Sequence, residues 1–175
     1  MVKKIIIFED NSGLRKGLEE LLQLTDEFVV VASYDHCLQA EQHIKNDTPD
    51  VVLMDIDMPG RSGIEAVRLI RSFNKEVQII MLTVFDDSTH VFDAICAGAS
   101  GYLLKKNVSE KLIPSIKEVL DGGAPMSPSI AKMVVNSMQH SSTANVYNFT
   151  DKEIKKLVHK LESVTEIISQ NEIET

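Results

Sequence analysis

At residues 51–63 the chain reads VVLMDIDMPGRSG. The opening residues are apolar and partly β-branched, which is typical of a strand buried on both faces of a sheet. Asp55 follows directly, and Met58-Pro59-Gly60 then ends the strand and turns the chain. A carboxylate at the end of a buried parallel strand lies on the rim where open α/β sheets place their sites. Asp55 is therefore a candidate functional residue, although a lone aspartate in a turn is more often a simple cap.

The composition indicates one soluble domain with a small appendage. The chain has 175 residues, 43% of them hydrophobic and 25% charged, and its net charge of −8 gives no reason to expect nucleic-acid binding. Its two cysteines form no CxxC motif or Cys/His cluster, which fits a reducing compartment and argues against a zinc site. The apolar run at residues 5–8 is too short for a signal peptide or a membrane span. We therefore expect a cytoplasmic protein without membrane contact.

Strands and amphipathic helices alternate from residue 3 to residue 120. The predicted strands are Lys3–Phe8, Phe28–Ala32, 51–54, Val77–Leu82 and Ser100–Leu104. The predicted helices begin near Ser12, at Tyr34 (ending at Lys45), near Gly63, near Ser88 and at Asn107. Pro114 is expected to remove a backbone hydrogen bond from the last of these helices or to kink it. Such alternation predicts an α/β fold with a five-stranded, doubly wound parallel sheet.

The unusual polar residues all lie where a predicted strand ends. Glu9 and Asp10 follow the first strand, Asp55 the third, Thr83 the fourth and Lys105 the fifth. The C-terminal ends of parallel strands share one edge of the sheet, so these side chains can meet there. Three neighbouring carboxylates repel one another and favour a hard, oxygen-seeking cation such as Mg²⁺. An ionised aspartate at such a metal can attack phosphorus, while Thr83 and Lys105 can hold phosphoryl oxygens.

Four segments of the chain resemble the receiver domain of two-component response regulators, most closely its NarL/FixJ (LuxR-type) branch. They are Phe8-Glu9-Asp10, 54–63, 81–87 and 97–105, and their order and spacing match the family from residue 3 to about residue 122. The resemblance implies a flavodoxin-like (CheY-like) receiver domain at residues 1–122, followed by a helical extension. It also implies a phosphorylated signalling switch, which catalyses only its own phosphorylation and dephosphorylation and is not otherwise an enzyme.

The same resemblance implies a role for each residue of the acidic edge. Asp55 would accept a phosphoryl group from the phosphohistidine of a sensor histidine kinase. Glu9, Asp10, Asp55 and the backbone carbonyl of Asp57 would hold Mg²⁺ or Mn²⁺, and Lys105 would neutralise a phosphoryl oxygen.

Thr83 and Tyr102 would form the conformational switch. By the resemblance, Thr83 would move toward the phosphoryl group while Tyr102 shifts its ring. Output would then pass by protein–protein contact through the fourth helix, fifth strand and fifth helix, and the phosphorylated protein could form a homodimer. An ordinary tyrosine at the edge of the core is an equally good interpretation of Tyr102.

A second interpretation comes from a different class of protein. Asp55-Ile56-Asp57 also resembles the Asp-x-Asp motif of haloacid-dehalogenase-type phosphatases, in which the second aspartate is a general acid. A Thr or Val usually follows that motif, where this chain has Pro59, and the nucleophile of those enzymes lies on the earliest core strand. We favour the receiver, and turnover of an exogenous phosphomonoester would favour the phosphatase.

The C-terminal part divides into two segments. Residues 123–148 are interpreted as a linker with one helix, Ser129–Gln139, similar to the linker helix of NarL-type regulators. Residues 149–175 predict an isolated amphipathic helix that opens with a capping box formed by Thr150 and Glu153. Its start resembles the first helix of a LuxR-type helix-turn-helix, but no recognition helix follows in the sequence.

The C-terminal segment leaves the output open. It is acidic overall, which argues against DNA contact, and one helix cannot bury its own apolar face. It is either a truncated or degenerate remnant of a helix-turn-helix, or a helix that packs on the receiver, dimerises or binds a partner. We favour a receiver without competent DNA binding, with a DNA-binding NarL/FixJ-type regulator truncated here as the alternative.

Overall fold

The computed structural model describes residues 1–141, which form a five-stranded sheet flanked by helices. Its strands are β1 (Lys3–Phe8), β2 (Phe28–Tyr34), β3 (Val51–Asp55), β4 (Gln78–Thr83) and β5 (Gly101–Leu104). Its helices are α1 (Ser12–Gln23), α2 (Ala40–Asp47), α3 (Gly63–Phe73), α4 (Ser88–Ala97), α5 (Val108–Leu120) and α6 (Pro128–Ser141), with a short 3-10 helix at Lys105–Asn107. All strand pairs are parallel and the order is β2-β1-β3-β4-β5, which confirms the predicted α/β fold.

The central strand β3 is buried on both faces, as its sequence predicts. Val52 and Met54 point into one apolar cluster, which also contains residues of α2, α3, α4 and α6. Val51 and Leu53 point into a second cluster on the opposite face, formed with α1 and α5. Successive side chains of a strand alternate between faces, so β3 is held from both sides and its last residue has a fixed position.

The second helix begins later than the sequence predicts, so the predicted start at Tyr34 is wrong. Strand β2 continues to Tyr34, which lies opposite Phe8 of β1, and α2 starts only at Ala40. The Tyr34 ring stacks on His43, with the ring centroids 3.7 Å apart. Cys37 is buried between these elements, and its Sγ lies 3.1 Å from the carbonyl oxygen of Arg61. These tertiary contacts hold the connecting segment outside the helix.

Helices α5 and α6 each contain a proline, and both lie where the sequence predicts a helix. Helix α5 continues through Pro114 without ending there. The predicted helix at Ser129–Gln139 is confirmed as α6, and the Oγ of Ser127 accepts a hydrogen bond from the Ile130 N–H at its start. Residues 142–148 of the predicted linker, and the helix predicted at 149–175, lie outside the described residues. Across residues 1–141, every helix is too short or too polar to cross a membrane.

Asp50 fastens the start of β1 to the start of β3. Its Oδ1 accepts a hydrogen bond from the Lys3 ammonium and its Oδ2 accepts one from the Lys4 backbone N–H, both at 2.9 Å. Partial burial acts to raise the pKa of Asp50, but the hydrogen bond from the Lys4 N–H and the charge of Lys3 outweigh it, so the pKa lies below its ordinary value.

Replacing this carboxylate is expected to weaken the fold in a pH-dependent way. The Asp50→Asn variant should lose about 1 kcal/mol of unfolding free energy at neutral pH, measured by urea denaturation. A carboxyl group whose pKa is lowered by folding stabilises the folded protein at pH values above its unfolded-state pKa. This stabilisation is lost as the pH falls through the folded-state pKa. The deficit should therefore shrink below about pH 4. The exposed Asp121→Asn change is the control, and an equal deficit at acidic pH would contradict the ionic explanation.

Candidate functional site

The C-terminal edge of the sheet brings the predicted acidic residues together. Glu9 and Asp10 follow β1, Asp55 ends β3, and these two strands are paired neighbours. One carboxylate oxygen of each residue lies within 4.8 Å of the others. Glu9 is 0% exposed and Asp55 is 3% exposed, whereas Asp10 faces solvent. The three side chains form an acidic cluster with one open side.

The turn after β1 is shaped by polar contacts to the backbone. Asn11 caps α1, because its side-chain oxygen accepts a hydrogen bond from the Leu14 N–H. The Asn11 N–H itself donates to Oε1 of Glu9 at 3.1 Å, and the Arg15 guanidinium donates to the Glu9 carbonyl at 2.6 Å. The cap residue of α1 therefore contacts the Glu9 carboxylate, and Arg15 of α1 holds the Glu9 backbone.

Lys105 places one positive charge inside the acidic cluster. Its Nζ lies 2.7 Å from Oδ2 of Asp55 and 2.8 Å from Oε2 of Glu9, and its side chain is only 18% exposed. Lys105 reaches this position because it directly follows β5, where the chain enters the 3-10 helix. One ammonium cannot balance three carboxylates, so the cluster retains excess negative charge.

The two buried carboxyl groups, Asp55 and Glu9, have raised pKa values. Burial raises the pKa of Asp55 and of Glu9, and the ion pairs with Lys105 offset only part of that effect. Burial acts to lower the pKa of Lys105, but its two carboxylate partners outweigh it and the pKa is raised. Oε2 of Glu9 is buried and accepts no hydrogen bond from residues 1–141, although it contacts the Lys105 charge. That oxygen has lone pairs available for a cation.

The loop after Asp55 has little room for side chains. A Cβ on Gly63 would lie 1.8 Å from the Asp55 carbonyl oxygen, so only glycine allows α3 to approach the end of β3 this closely. The Gly63 N–H donates to the Ile56 carbonyl, and Ser62 and Glu65 form a capping box at the start of α3. Asp57 lies in this loop with an exposed side chain.

The two predicted switch residues meet at Phe85. Thr83 is buried at the end of β4, and its Oγ1 accepts a hydrogen bond from the Phe85 N–H at 3.1 Å. Tyr102 is also buried, and its hydroxyl donates to the Phe85 carbonyl at 2.9 Å. Burial raises the pKa of Tyr102 well above its ordinary value, so the phenol stays protonated and donates. The Thr83 and Tyr102 side chains are therefore both bonded to the backbone of one residue, Phe85.

Sequence reasoning missed this role of the Phe85 backbone and the contacts that hold it. The Phe85 ring stacks on His90 with centroids 4.2 Å apart, and Nδ1 of His90 lies 2.6 Å from Oδ2 of Asp87, the cap of α4. A stacking contact between a loop and the first turn of a helix leaves no signal in sequence periodicity.

Known proteins similar to this chain include a domain family and individual relatives. Residues 5–117 match the model of the response regulator receiver domain. The chain is 34% identical over 167 residues to the transcriptional regulatory protein LnrK of Bacillus subtilis (strain 168), covering 95% of this chain and 76% of that protein. It is 34% identical over 149 residues to the oxygen regulatory protein NreC of Staphylococcus aureus (strain JH9), covering 85% of this chain and 69% of that protein.

A solved structure agrees with these relatives. The crystal structure of a LuxR-family two-component response regulator from Aurantimonas sp. SI85-9A1 superposes with a TM-score of 0.73 at 32% identity, covering 79% of this chain and 99% of that chain. Because the sequence match, the sheet order and the superposition agree, the chain belongs to the response regulator receiver domain family and is a two-component response regulator related to LuxR-type regulators.

Proposed function

We propose that Asp55 is the phosphoacceptor of this response regulator and that a sensor histidine kinase supplies the phosphoryl group. The observation that carries the proposal is the buried Asp55 carboxylate, held 2.7 Å from the Lys105 ammonium beside two further acids. In the transfer, a carboxylate oxygen of Asp55 forms a bond to phosphorus while the bond from phosphorus to the imidazole nitrogen breaks. Lys105, which contacts the attacking carboxylate, would neutralise a phosphoryl oxygen.

The donor set of the acidic cluster fits Mg²⁺. Glu9, Asp10 and Asp55 each offer an oxygen within a region small enough for one cation, and hard oxygen ligands are those that Mg²⁺ and Mn²⁺ prefer. The buried Oε2 of Glu9 is in contact with the Lys105 ammonium at 2.8 Å and accepts no further hydrogen bond from residues 1–141, which leaves it a lone pair for a cation. When bound, the metal would supply positive charge for the phosphoryl oxygens. The backbone carbonyl of Asp57 is proposed as a further ligand.

Thr83 and Tyr102 are proposed to carry the signal away from Asp55. Thr83 ends the strand adjacent to β3, so its hydroxyl can turn from the Phe85 N–H toward a phosphoryl oxygen. That movement would release Phe85, to which the Tyr102 hydroxyl is bonded, and thereby alter the start of α4. The output would then be a contact with another protein, such as a second copy of this chain.

The remaining parts of the proposal concern partners and location. DNA contact is not part of it, because the chain carries a net charge of −8, and a mobility shift of duplex DNA at physiological salt would overturn this. One relative, LnrK, is named a transcriptional regulatory protein, so DNA binding is the alternative function. The two cysteines are free thiols, which supports a location in the cytoplasm. The phosphatase alternative is weakened by the position of Asp55 on β3, the third strand of the chain.

Incubation with acetyl phosphate tests the proposed function and its metal requirement. We expect one added phosphoryl group by intact mass with Mg²⁺ and none with EDTA. The Asp10→Asn variant should need about tenfold more Mg²⁺ for half-maximal labelling, because it removes one charge from the ligand set. The exposed Asp26→Asn change, which lies before β2, should leave the requirement unaltered. Equal labelling in EDTA would contradict a metal-dependent acceptor.

A further inference from the structure

Four separate contacts fix the position of Glu9, the first residue after β1. Its N–H donates to the Tyr34 carbonyl at 3.0 Å, and its Oε1 accepts a hydrogen bond from the Asn11 N–H. Its carboxylate contacts the Lys105 ammonium. Its carbonyl accepts a hydrogen bond from the Arg15 guanidinium at 2.6 Å. Arg15 is thus the side chain through which α1 holds the Glu9 backbone.

The same guanidinium also reaches the next acid of the cluster. The nitrogen of Arg15 that bonds to Glu9, Nη1, lies 3.4 Å from the Asp10 carbonyl oxygen. Asp10 is exposed, whereas the other two acids of the cluster are buried. Because an exposed side chain receives little support from packing, the position of the Asp10 carboxylate depends on how firmly its backbone is held.

Arg15 is itself held by the helix from which it projects. Its N–H donates to the Asn11 carbonyl at 2.9 Å, and Asn11 caps α1 through its side chain. The Arg15 side chain is half-buried and folds back over this capped end to reach the two carbonyl oxygens. A rigid helix therefore fixes the backbone of two consecutive candidate metal ligands by way of one guanidinium.

The charge of Arg15 does not explain its place beside the acidic cluster. The guanidinium bonds to backbone carbonyls, whereas Lys105 bonds to the carboxylates themselves. A positive charge next to a cation site repels the cation, so Arg15 acting by charge alone would weaken metal binding. Acting through the backbone of the two acids, it would strengthen metal binding, because groups that orient the ligands raise the affinity of a site.

We propose that Arg15 is a positioning residue that fixes the backbone of Glu9 and Asp10 and thereby raises the affinity of the acidic cluster for a divalent cation. This rests on the proposed function, which assigns Mg²⁺ or Mn²⁺ to the cluster. Arg15 touches neither the cation nor the phosphoryl group. Its contribution is to hold two ligands where the cation needs them, so that less order has to be gained on binding.

Mn²⁺ binding to the full chain tests the inference, with the free ion counted by its EPR signal and no phosphoryl donor present. Arg15→Met removes the donor and keeps an unbranched side chain that suits a helix. It should weaken Mn²⁺ binding about tenfold. Lys16→Met is the matched control, because it removes the same charge from the next residue of α1, whose side chain is 76% exposed. The control should bind Mn²⁺ as the unmodified chain does.

The direction of the change separates the possible roles of Arg15. A residue that acted by its charge would give tighter Mn²⁺ binding when replaced, and one that only stabilised the fold would leave the affinity of the folded protein unchanged. Circular dichroism verifies folding, and Arg15→Gln replaces Arg15→Met if the latter is unfolded. Equal or tighter binding in a folded Arg15 variant overturns this inference and leaves the proposed function intact. Absence of Mn²⁺ binding to the unmodified chain overturns the proposed metal site as well.

Discussion

Asp55→Asn is expected to abolish phosphorylation of this protein by acetyl phosphate in the presence of Mg²⁺. The asparagine amide has nearly the size of the aspartate side chain but lacks the anionic oxygen that attacks phosphorus. Intact mass should show one added phosphoryl group on the unmodified chain and none on the variant. Asp121→Asn is the matched control, because it makes the same change at an exposed aspartate that follows α5 and lies outside the acidic cluster.

Loss of labelling identifies the acceptor only if Asp55→Asn remains folded. The raised pKa of Asp55 predicts that it does. Burial raises the pKa of Asp55, so in the folded protein the ionised carboxylate is less favourable than in the unfolded chain. When a carboxyl group has a higher pKa in the folded protein than in the unfolded chain, the free energy of unfolding falls as the pH rises from the unfolded pKa through the folded pKa. A neutral residue removes this cost, so the melting temperature should be no lower than that of the unmodified chain at neutral pH. Full labelling of Asp55→Asn would place the acceptor elsewhere.

Lys105→Met is expected to impair both phosphorylation and folding. Labelling should slow about a hundredfold, because the charge that faces the phosphoryl oxygens is removed. The unfolding free energy should fall by about 3 kcal/mol without Mg²⁺, because Glu9 and Asp55 lose the cation they share. Stopped labelling reactions and urea denaturation measure the two effects separately.

Two controls separate charge from packing in this variant. Lys106→Met alters the next residue, whose ammonium is exposed and 3.8 Å from Asp86, so it should change stability by less than about 1 kcal/mol. Adding Mg²⁺ should restore part of the stability of Lys105→Met, because a cation again faces the two buried carboxylates. A Lys105→Met protein labelled at the normal rate would contradict the role assigned to this lysine.

The sheet and the position of its acidic edge could be predicted because they depend on local and periodic signals. The apolar run of β3 and the glycine and proline after Asp55 mark a buried strand that ends at a turn. Parallel topology then places the ends of β1, β3, β4 and β5 on one rim, whatever the details of packing. The convergence of Glu9, Asp10, Asp55 and Lys105 follows from that topology, and the observed distances agree with it.

The features that could not be predicted depend on contacts between residues far apart in sequence. The start of α2 was predicted too early, because helical spacing from Tyr34 onward does not reveal that Tyr34 pairs with β1 and that Cys37 is buried. The link from Thr83 to Tyr102 runs through the backbone of Phe85, and no residue type encodes which carbonyl a tyrosine will reach.

Sequence alone determined the fold class, the family resemblance and the set of polar residues at one edge of the sheet, because strand periodicity and turn residues act locally. Only the tertiary structure decided that Lys105 lies between two buried carboxylates and that α6 covers α4. An amphipathic helix such as α6 shows in its sequence that one face must be buried, but not against which partner. That choice depends on which apolar surface the folded chain presents, and here it is the face of α4 next to the Tyr102 contact.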